Sequence, residues 1–319
     1  MKDRLVMECR GIGHWFGVKH VLHDLNIRIV RGQIVSLVGP SGCGKSTLLR
    51  AIVGTHPPCQ GKVIVHRRVD GKLVEQEVGG PGRDRGIVYQ RYSLYPNLTA
   101  VENIAFGLML DQTSLAHRLF RFNAWRQLRK QHLNHATELL EKLGLGQARD
   151  HYPHELSGGM RQRVSIAQAL VMKPEILLLD EPFGALDETT REELQRMLLT
   201  LYAENRQAAK DGADPPYTIL LVTHELNEAI FVGDRVIGLS QYWNWKEKGH
   251  QLLPGATIVY DQPAPVFNPD HERQYETFRT QKEEILQTTF DPEYLQESAQ
   301  WRTYWQDVAA GTVKGVIEQ

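Results

Sequence analysis

The sequence predicts an α/β fold: a mainly parallel sheet, an antiparallel β subdomain at its flank, and a helical subdomain inserted between two of its strands. Three observations predict it. First, Ile34-Val35-Ser36-Leu37-Val38 leads into the glycine-rich stretch 39–47, and that into Leu48-Leu49-Arg50-Ala51-Ile52-Val53. A strand, a loop and a helix thus follow one another. Second, near-continuous apolar runs at 176–179 and 218–222 suit parallel strands covered on both faces, with the helical stretch 188–205 as their crossover. Third, Asp70-Gly71 stands between the alternating runs 61–69 and 72–78, the mark of a hairpin and hence of an antiparallel element beside the parallel sheet.

The remaining elements follow in chain order. Residues 4–38 alternate short β-like runs with turns; Asp24-Leu25-Asn26-Ile27-Arg28-Ile29-Val30 has the period of a half-buried strand, and Arg31-Gly32 turns it. Gly79-Gly80-Pro81-Gly82 breaks the pattern, and residues 86–90 read as a buried strand ending in polar Gln90. From 99 to 172 the chain reads mostly helical. Thr99 and Glu102 have capping-box spacing, Leu139, Leu140 and Leu143 mark a helix stopped by Gly144, and Ser157 caps another that Pro174 ends. The helical subdomain is therefore placed at about 97–172, within a nucleotide-binding domain of residues 1–287, followed by a C-terminal extension of 288–319. Residues 115–130 are basic and aromatic; they are expected to pack apolar side chains on the helical subdomain and leave the arginines in water, with a membrane surface or membrane partner as the other reading. Residues 210–216 read as a surface loop and 242–249 as the tip of an extended hairpin. The tail carries Tyr294, Trp301, Tyr304 and Trp305, which predict packing on the body.

A formal net charge of −1 over 319 residues gives no electrostatic reason for general nucleic-acid binding. The three cysteines lack metal-ligand spacing and fit a reducing compartment. The first eight residues have no apolar core of the signal-peptide kind, and no apolar run approaches the ~20 residues needed to span a bilayer. Work at a membrane would go through a partner.

The chemistry sits in three short stretches. Gly39-Pro40-Ser41-Gly42-Cys43-Gly44-Lys45-Ser46-Thr47 has the pattern G-x-x-x-x-G-K-[ST]. Glycines let backbone N–H groups turn inward around a polyphosphate, and the helix N-terminus adds its positive end. Lys45 supplies a mobile charge for the β- and γ-phosphates, and the Ser46 hydroxyl is placed to ligate Mg²⁺. The pattern in this context predicts the core of a P-loop NTPase. At the end of the run 176–179, Asp180 can hold Mg²⁺ through water and Glu181 can polarise an attacking water. A buried strand leaving into an acidic turn would look the same in isolation. Ser157-Gly158-Gly159 opens a helix, a second phosphate site by the same dipole argument. Two such sites in one chain make sense if two copies sandwich ATP, the loop of one facing the serine helix of the other.

With Leu156-Ser157-Gly158-Gly159-Met160 beside the phosphate loop, the sequence resembles the ATP-binding subunits of ABC transporters; Met160 stands where the family signature has Gln. The resemblance spans about residues 5–287 and implies further roles. Phe16 would stack on adenine, with Trp15 its rival. Gln90 would sense Mg²⁺ and couple to the membrane subunit. Ala185-Leu186-Asp187 would lie between paired subunits, and His224 would hold the γ-phosphate. It also implies ATP and Mg²⁺ as ligands, a second copy and an integral membrane permease as partners, a solute-binding protein indirectly, and a place on the cytoplasmic face of the inner membrane. Residues 152–160 and 180–187 look like prokaryotic importers. Pro81 to Gln90 and the stretch 278–286 are similar to the nitrate/sulfonate/taurine importer group, which makes those or similar small solutes the expected cargo. The alternative is a soluble ATPase of the same type in a non-transport complex. Such relatives carry coiled-coil insertions, zinc cysteines or two ATPase halves, features not found in this sequence.

Overall fold

The computed structural model describes residues 4–69, 72–90, 93–112, 122–264, 275–295 and 303–309. Two sheets form its frame. Strands β1 (Leu5–Phe16), β2 (Lys19–Val30), β4 (Gln60–Val69) and β5 (Lys72–Glu77) make an antiparallel sheet in the order β2-β1-β4-β5. Strands β3 (Ile34–Val38), β6 (Arg85–Val88), β7 (Ile176–Asp180), β8 (Ile219–Val222), β9 (Arg235–Ser240) and β10 (Thr257–Pro263) make the other, ordered β10-β9-β3-β8-β7-β6. All its pairings are parallel except that of β10 with β9.

The continuous apolar runs of the central strands have a direct cause, since both their faces are covered. Leu178, Leu220 and Ile237 point into one cluster, where helix α1 (Lys45–Val53) contributes Leu48, Leu49 and Ile52 and the antiparallel sheet contributes Met7, Ile27 and Val65. Leu177, Leu179 and Leu221 point into the other cluster, against the helices of the opposite layer.

Between β6 and β7 the chain makes α2 (Ala100–Gln112), α3 (Phe122–Lys142) and α4 (Gly158–Leu170), the inserted helical subdomain. Thr99 and Glu102 form the expected reciprocal cap: the Thr99 N–H donates to Glu102 Oε2 at 3.2 Å and the Glu102 N–H to Thr99 Oγ1 at 3.4 Å. Helix α3 starts earlier than its leucines suggest, so the described part of the basic stretch, 122–130, is its first turns; Arg129 pairs with Glu102 at 3.1 Å. Residues 115–121 lie outside the described residues. So do Asp70 and Gly71, but β4 and β5 pair antiparallel on either side of them. Helix α5 (Glu188–Lys210) is the crossover from β7 to β8, capped by Asp187, whose carboxylate accepts from the Thr190 N–H at 3.0 Å. Helices α6 (Leu226–Val232), α7 (Tyr275–Ile285) and α8 (Tyr304–Ala309) follow among the described residues.

One stretch read as a peripheral tip is built into the body, and the tail packs where its aromatic residues predict. The 242–249 segment lies in the β9–β10 connection as expected, but its Trp243 is 1% exposed and donates from Nε1 to the Gly255 carbonyl at 3.0 Å. In the tail, Tyr304 is buried and, with Trp305, stacks on Arg235, 4.7 and 5.5 Å from guanidinium carbon to ring centre. Trp301 lies outside the described residues. Arg235 is itself fully buried, forked onto Asp261 at 2.6 and 2.8 Å, and donates to the Arg28 carbonyl at 2.6 Å.

Candidate nucleotide site

Parallel register places the site. Val38 pairs with Gly238, Leu37 with Val222, Asp180 with Val222 and Val88 with Leu179, so the C-terminal ends of β3, β6, β7, β8 and β9 share one edge of the sheet. Ligands of α/β sheets bind at this edge.

At the end of β3 the phosphate loop passes so close to β9 that a Cβ on Gly39 would stand 2.1 Å from the Leu239 carbonyl oxygen. Gly44 takes φ 105°, a left-handed turn that favours glycine, and starts α1 at Lys45. No side chain caps that helix start and its first turn holds no acidic residue, so its N–H groups face the loop without an internal anion. Lys45 is buried along its stem, and its Nζ donates to the carbonyls of Gly39 at 2.6 Å and Pro40 at 3.0 Å. The ammonium therefore lies inside the loop that Gly39, Pro40, Ser41, Gly42, Cys43 and Gly44 form. Cys43 points into the core, where burial pushes its thiol up, and is not a nucleophile. Ser46 is exposed on the first turn and Thr47 half-buried beside it.

Three residues far apart in sequence meet at the ends of β6, β7 and β8. Gln90 Nε2 donates to Glu181 Oε2 at 3.3 Å, and His224 Nδ1 lies 3.4 Å from Glu181 Oε1. The carboxylate is thus held from both sides. Its backbone has φ 46°, a left-handed conformation that costs a non-glycine residue about 1–2 kcal/mol, and the Glu181 N–H is fixed to the Val222 carbonyl at 2.8 Å. Asp180, just before it, has its carboxyl pushed up, first by burial and then by the Glu181 charge, while Arg50 and Lys45 oppose the shift. Ser46, Asp180 and the Gln90 amide oxygen are hard oxygen donors, the kind Mg²⁺ takes.

The loop bearing His224 has a brace that the sequence did not disclose. Thr223 Oγ1 donates to buried Glu228 at 2.9 Å and accepts from the Glu225 N–H at 3.1 Å, while Arg191 on α5 pairs with Glu228 at 3.2 Å. Burial pushes the Glu228 carboxyl up. The brace ties the histidine loop to the helix that follows Asp187, and only folding brings Arg191 and Glu228 together.

Ser157 caps α4, its Oγ accepting from the Met160 N–H at 3.2 Å. Gly158 is half-buried; Gly159 is buried so tightly that a Cβ there would fall 1.8 Å from Thr190 Cγ2 on α5. Phe16 ends β1 with its ring 51% exposed, edge-on to His14 at 4.7 Å, whereas Trp15 packs toward His20 at 5.5 Å. Of the two, Phe16 is the more exposed.

Residues 22–184 match the family model described as ABC transporter. The chain is 34% identical over 261 residues to an aliphatic sulfonates import ATP-binding protein of Bacillus licheniformis, covering 82% of this chain and 88% of that one. It is 39% identical over 225 residues to a taurine import ATP-binding protein of Escherichia coli K12, covering 70% and 76%. A bicarbonate transport ATP-binding protein of Synechocystis is 40% identical over 219 residues, covering 68% and 66%. Among solved structures, a dimeric bacterial ABC transporter cassette superposes with a TM-score of 0.57 at 28% identity, over 82% of this chain and all of that one. A dimeric ATP-binding cassette in a post-hydrolysis state, bound to ADP and Pi, superposes at 0.56 with 27% identity and the same coverage.

Proposed function

The chain belongs to the ABC transporter ATP-binding family, and from that premise we propose that it is the ATP-hydrolysing subunit of an importer for a small solute of the sulfonate, taurine, nitrate or bicarbonate kind. Two copies close on ATP, and the closure drives a separate membrane permease fed by a solute-binding protein. No helix among the described residues is long and apolar enough to cross a membrane; in this reading the permease is what holds the chain at the membrane.

The observation that carries the reading is the grip on Glu181 by Gln90 and His224 at the sheet edge that also bears the phosphate loop. Glu181 accepts a proton from the attacking water, and the two flanking side chains hold its oxygens in place. Lys45 and the first N–H groups of α1 bind the β- and γ-phosphates, and Phe16 takes the adenine. His224 meets the γ-phosphate from the side of β8. Ser46 and Asp180, with Gln90 beside them, would hold Mg²⁺, which would supply positive charge against the phosphate oxygens. Ser157, Gly158 and Gly159 open a helix whose N–H groups suit phosphate, and they serve the nucleotide of the partner copy.

Lys45→Ala tests the reading. It leaves only backbone contacts for the phosphates, so ATP affinity and phosphate release should both collapse in a folded variant. Near-parental values for both would refute the assignment of the loop.

A further inference from the structure

His224 stands in a turn that its neighbours close. The Thr223 N–H is fixed to the Leu37 carbonyl at 3.2 Å, and Thr223 Oγ1 accepts from the Glu225 N–H at 3.1 Å. One hydroxyl thus spans the histidine, from the residue before it to the residue after it. The same hydroxyl donates to Glu228 Oε2 at 2.9 Å. A hydroxyl has a single hydrogen, and committing it to Glu228 leaves a lone pair for the Glu225 N–H. Glu228 therefore sets the geometry of a turn it does not belong to. The setting matters because the half-exposed imidazole has two carboxylates beside it, Glu181 at 3.4 Å from Nδ1 and Glu225 at 3.8 Å from Nε2.

Glu228 is buried, and a buried carboxylate needs a partner of opposite charge. Arg191, on the first turn of α5, supplies it with Nε 3.2 Å from Glu228 Oε1. Burial pushes the Glu228 carboxyl up, and the Thr223 hydroxyl and the Arg191 charge oppose that push. Arg191 also holds the chain that leaves Glu181: it donates to the Leu186 carbonyl at 3.3 Å and to Glu188 Oε2 at 2.7 Å. Within that chain the Gly184 N–H donates to the Glu181 carbonyl at 3.2 Å. The contacts close a ring that runs from Glu181 through residues 182–188 to Arg191, Glu228, Thr223 and His224, and back to Glu181.

We propose that Arg191 is a positioning residue for ATP hydrolysis, acting through Glu228 and Thr223 to keep His224 aimed at Glu181. The inference rests on the reading of Glu181 and His224 as the hydrolytic pair. Because Arg191 works through two other side chains, its loss bears on turnover and leaves the phosphate loop's hold on ATP in place.

The test compares Arg191→Met with Arg191→Met/Glu228→Gln by steady-state phosphate release. Methionine keeps an apolar stem but strands the Glu228 carboxylate, which must take a proton or turn toward water, and either change frees the Thr223 hydroxyl. Glutamine at 228 gives that hydroxyl an acceptor that needs no opposite charge. In Arg191→Met, kcat should fall about tenfold with KM for ATP within about twofold of the parent, the scale of one lost orienting hydrogen bond. The double variant should regain most of the loss, which a general loosening of α5 would not allow. Parental kcat in Arg191→Met, no recovery in the double variant, or a KM that rises as far as kcat falls would each overturn the proposal. Thr223→Val and Thr223→Ser carry the same test should Arg191→Met fail to fold: valine should lower kcat and serine, which keeps the hydroxyl, should not, and equal rates for the two would overturn it. A parent without ATP hydrolysis would remove the hydrolytic reading and this role with it; a hydrolysing parent matched by Arg191→Met removes this role alone.

Discussion

Glu181→Gln separates the base from its surroundings, because the structure gives two effects of different size. Glutamine has the same shape, and its amide oxygen can still accept from Gln90 Nε2, the contact seen at 3.3 Å. The φ of 46° burdens both residues alike, so folding stability should change by less than about 1 kcal/mol. What disappears is the favourable carboxylate contact with His224, seen at 3.4 Å, and the capacity to take a proton from water. Losing one hydrogen bond costs about 1 kcal/mol, a fall in rate of roughly tenfold at most. Losing a general base costs about 10²–10⁴ in rate, or ~3–5 kcal/mol on the barrier. The assay is steady-state phosphate release beside equilibrium ATP binding. We expect binding retained, turnover reduced by at least a hundredfold, and an ATP-bound dimer accumulating in light scattering. Turnover within tenfold of the parent would show that Glu181 is a positioning group and that the base is elsewhere, with His224 the first to test.

Three further outcomes are expected. A Ser157→Arg chain mixed with a Lys45→Ala chain should recover phosphate release that neither alone shows, because one composite site of the mixed dimer carries both lesions and the other none; no recovery despite demonstrated subunit exchange would count against independent shared sites. Gly159→Ala should lose about 1–3 kcal/mol in urea denaturation, since its Cβ would fall 1.8 Å from Thr190 Cγ2; Thr190→Ser, which keeps the hydroxyl on Asp187 and removes the methyl, should restore part of it. Burial lifts the Asp234 carboxyl from its ordinary 3.8 to about 8, so the folded chain keeps a proton that the unfolded chain releases, and this residue's contribution to stability falls as pH rises from about 4 to about 8. Asp234→Asn keeps an acceptor for the Ile34 N–H and should flatten that decline, whereas an unchanged pH profile would show that Asp234 does not titrate there.

What the sequence disclosed was local chemistry. Gly39 to Thr47, Asp180-Glu181 and Ser157-Gly158-Gly159 each compress a function into a few consecutive residues, and a strand or helix beside each confirms its context. The central strands were legible because burial on both faces leaves no polar alternation to misread. The meeting of Gln90, Glu181 and His224 depends on the order β8-β7-β6, which no single stretch encodes. The Thr223–Glu228–Arg191 brace was invisible for the same reason. Trp243 was misjudged because lysines, Glu247 and Gly249 around it suggest a solvated tip, while the ring that receives it, His23, lies at the other end of the domain. The long β1 and β2 were read as shorter runs because irregular register interrupts their alternation.

The burial of Arg235 affects how a shortened chain would behave. Its guanidinium is enclosed by β2, by Asp261 on β10 and by the rings of Tyr304 and Trp305, and it stands on the same strand whose far end supports Gly39 through Leu239. Cutting the chain before residue 303 would hydrate one side of that ion pair and loosen the strand beneath the phosphate loop. Poor ATP turnover in a trimmed or C-terminally fused version would then arise from a weakened foundation. Leaving the last turn of helix in place is accordingly a condition for measuring the site at all.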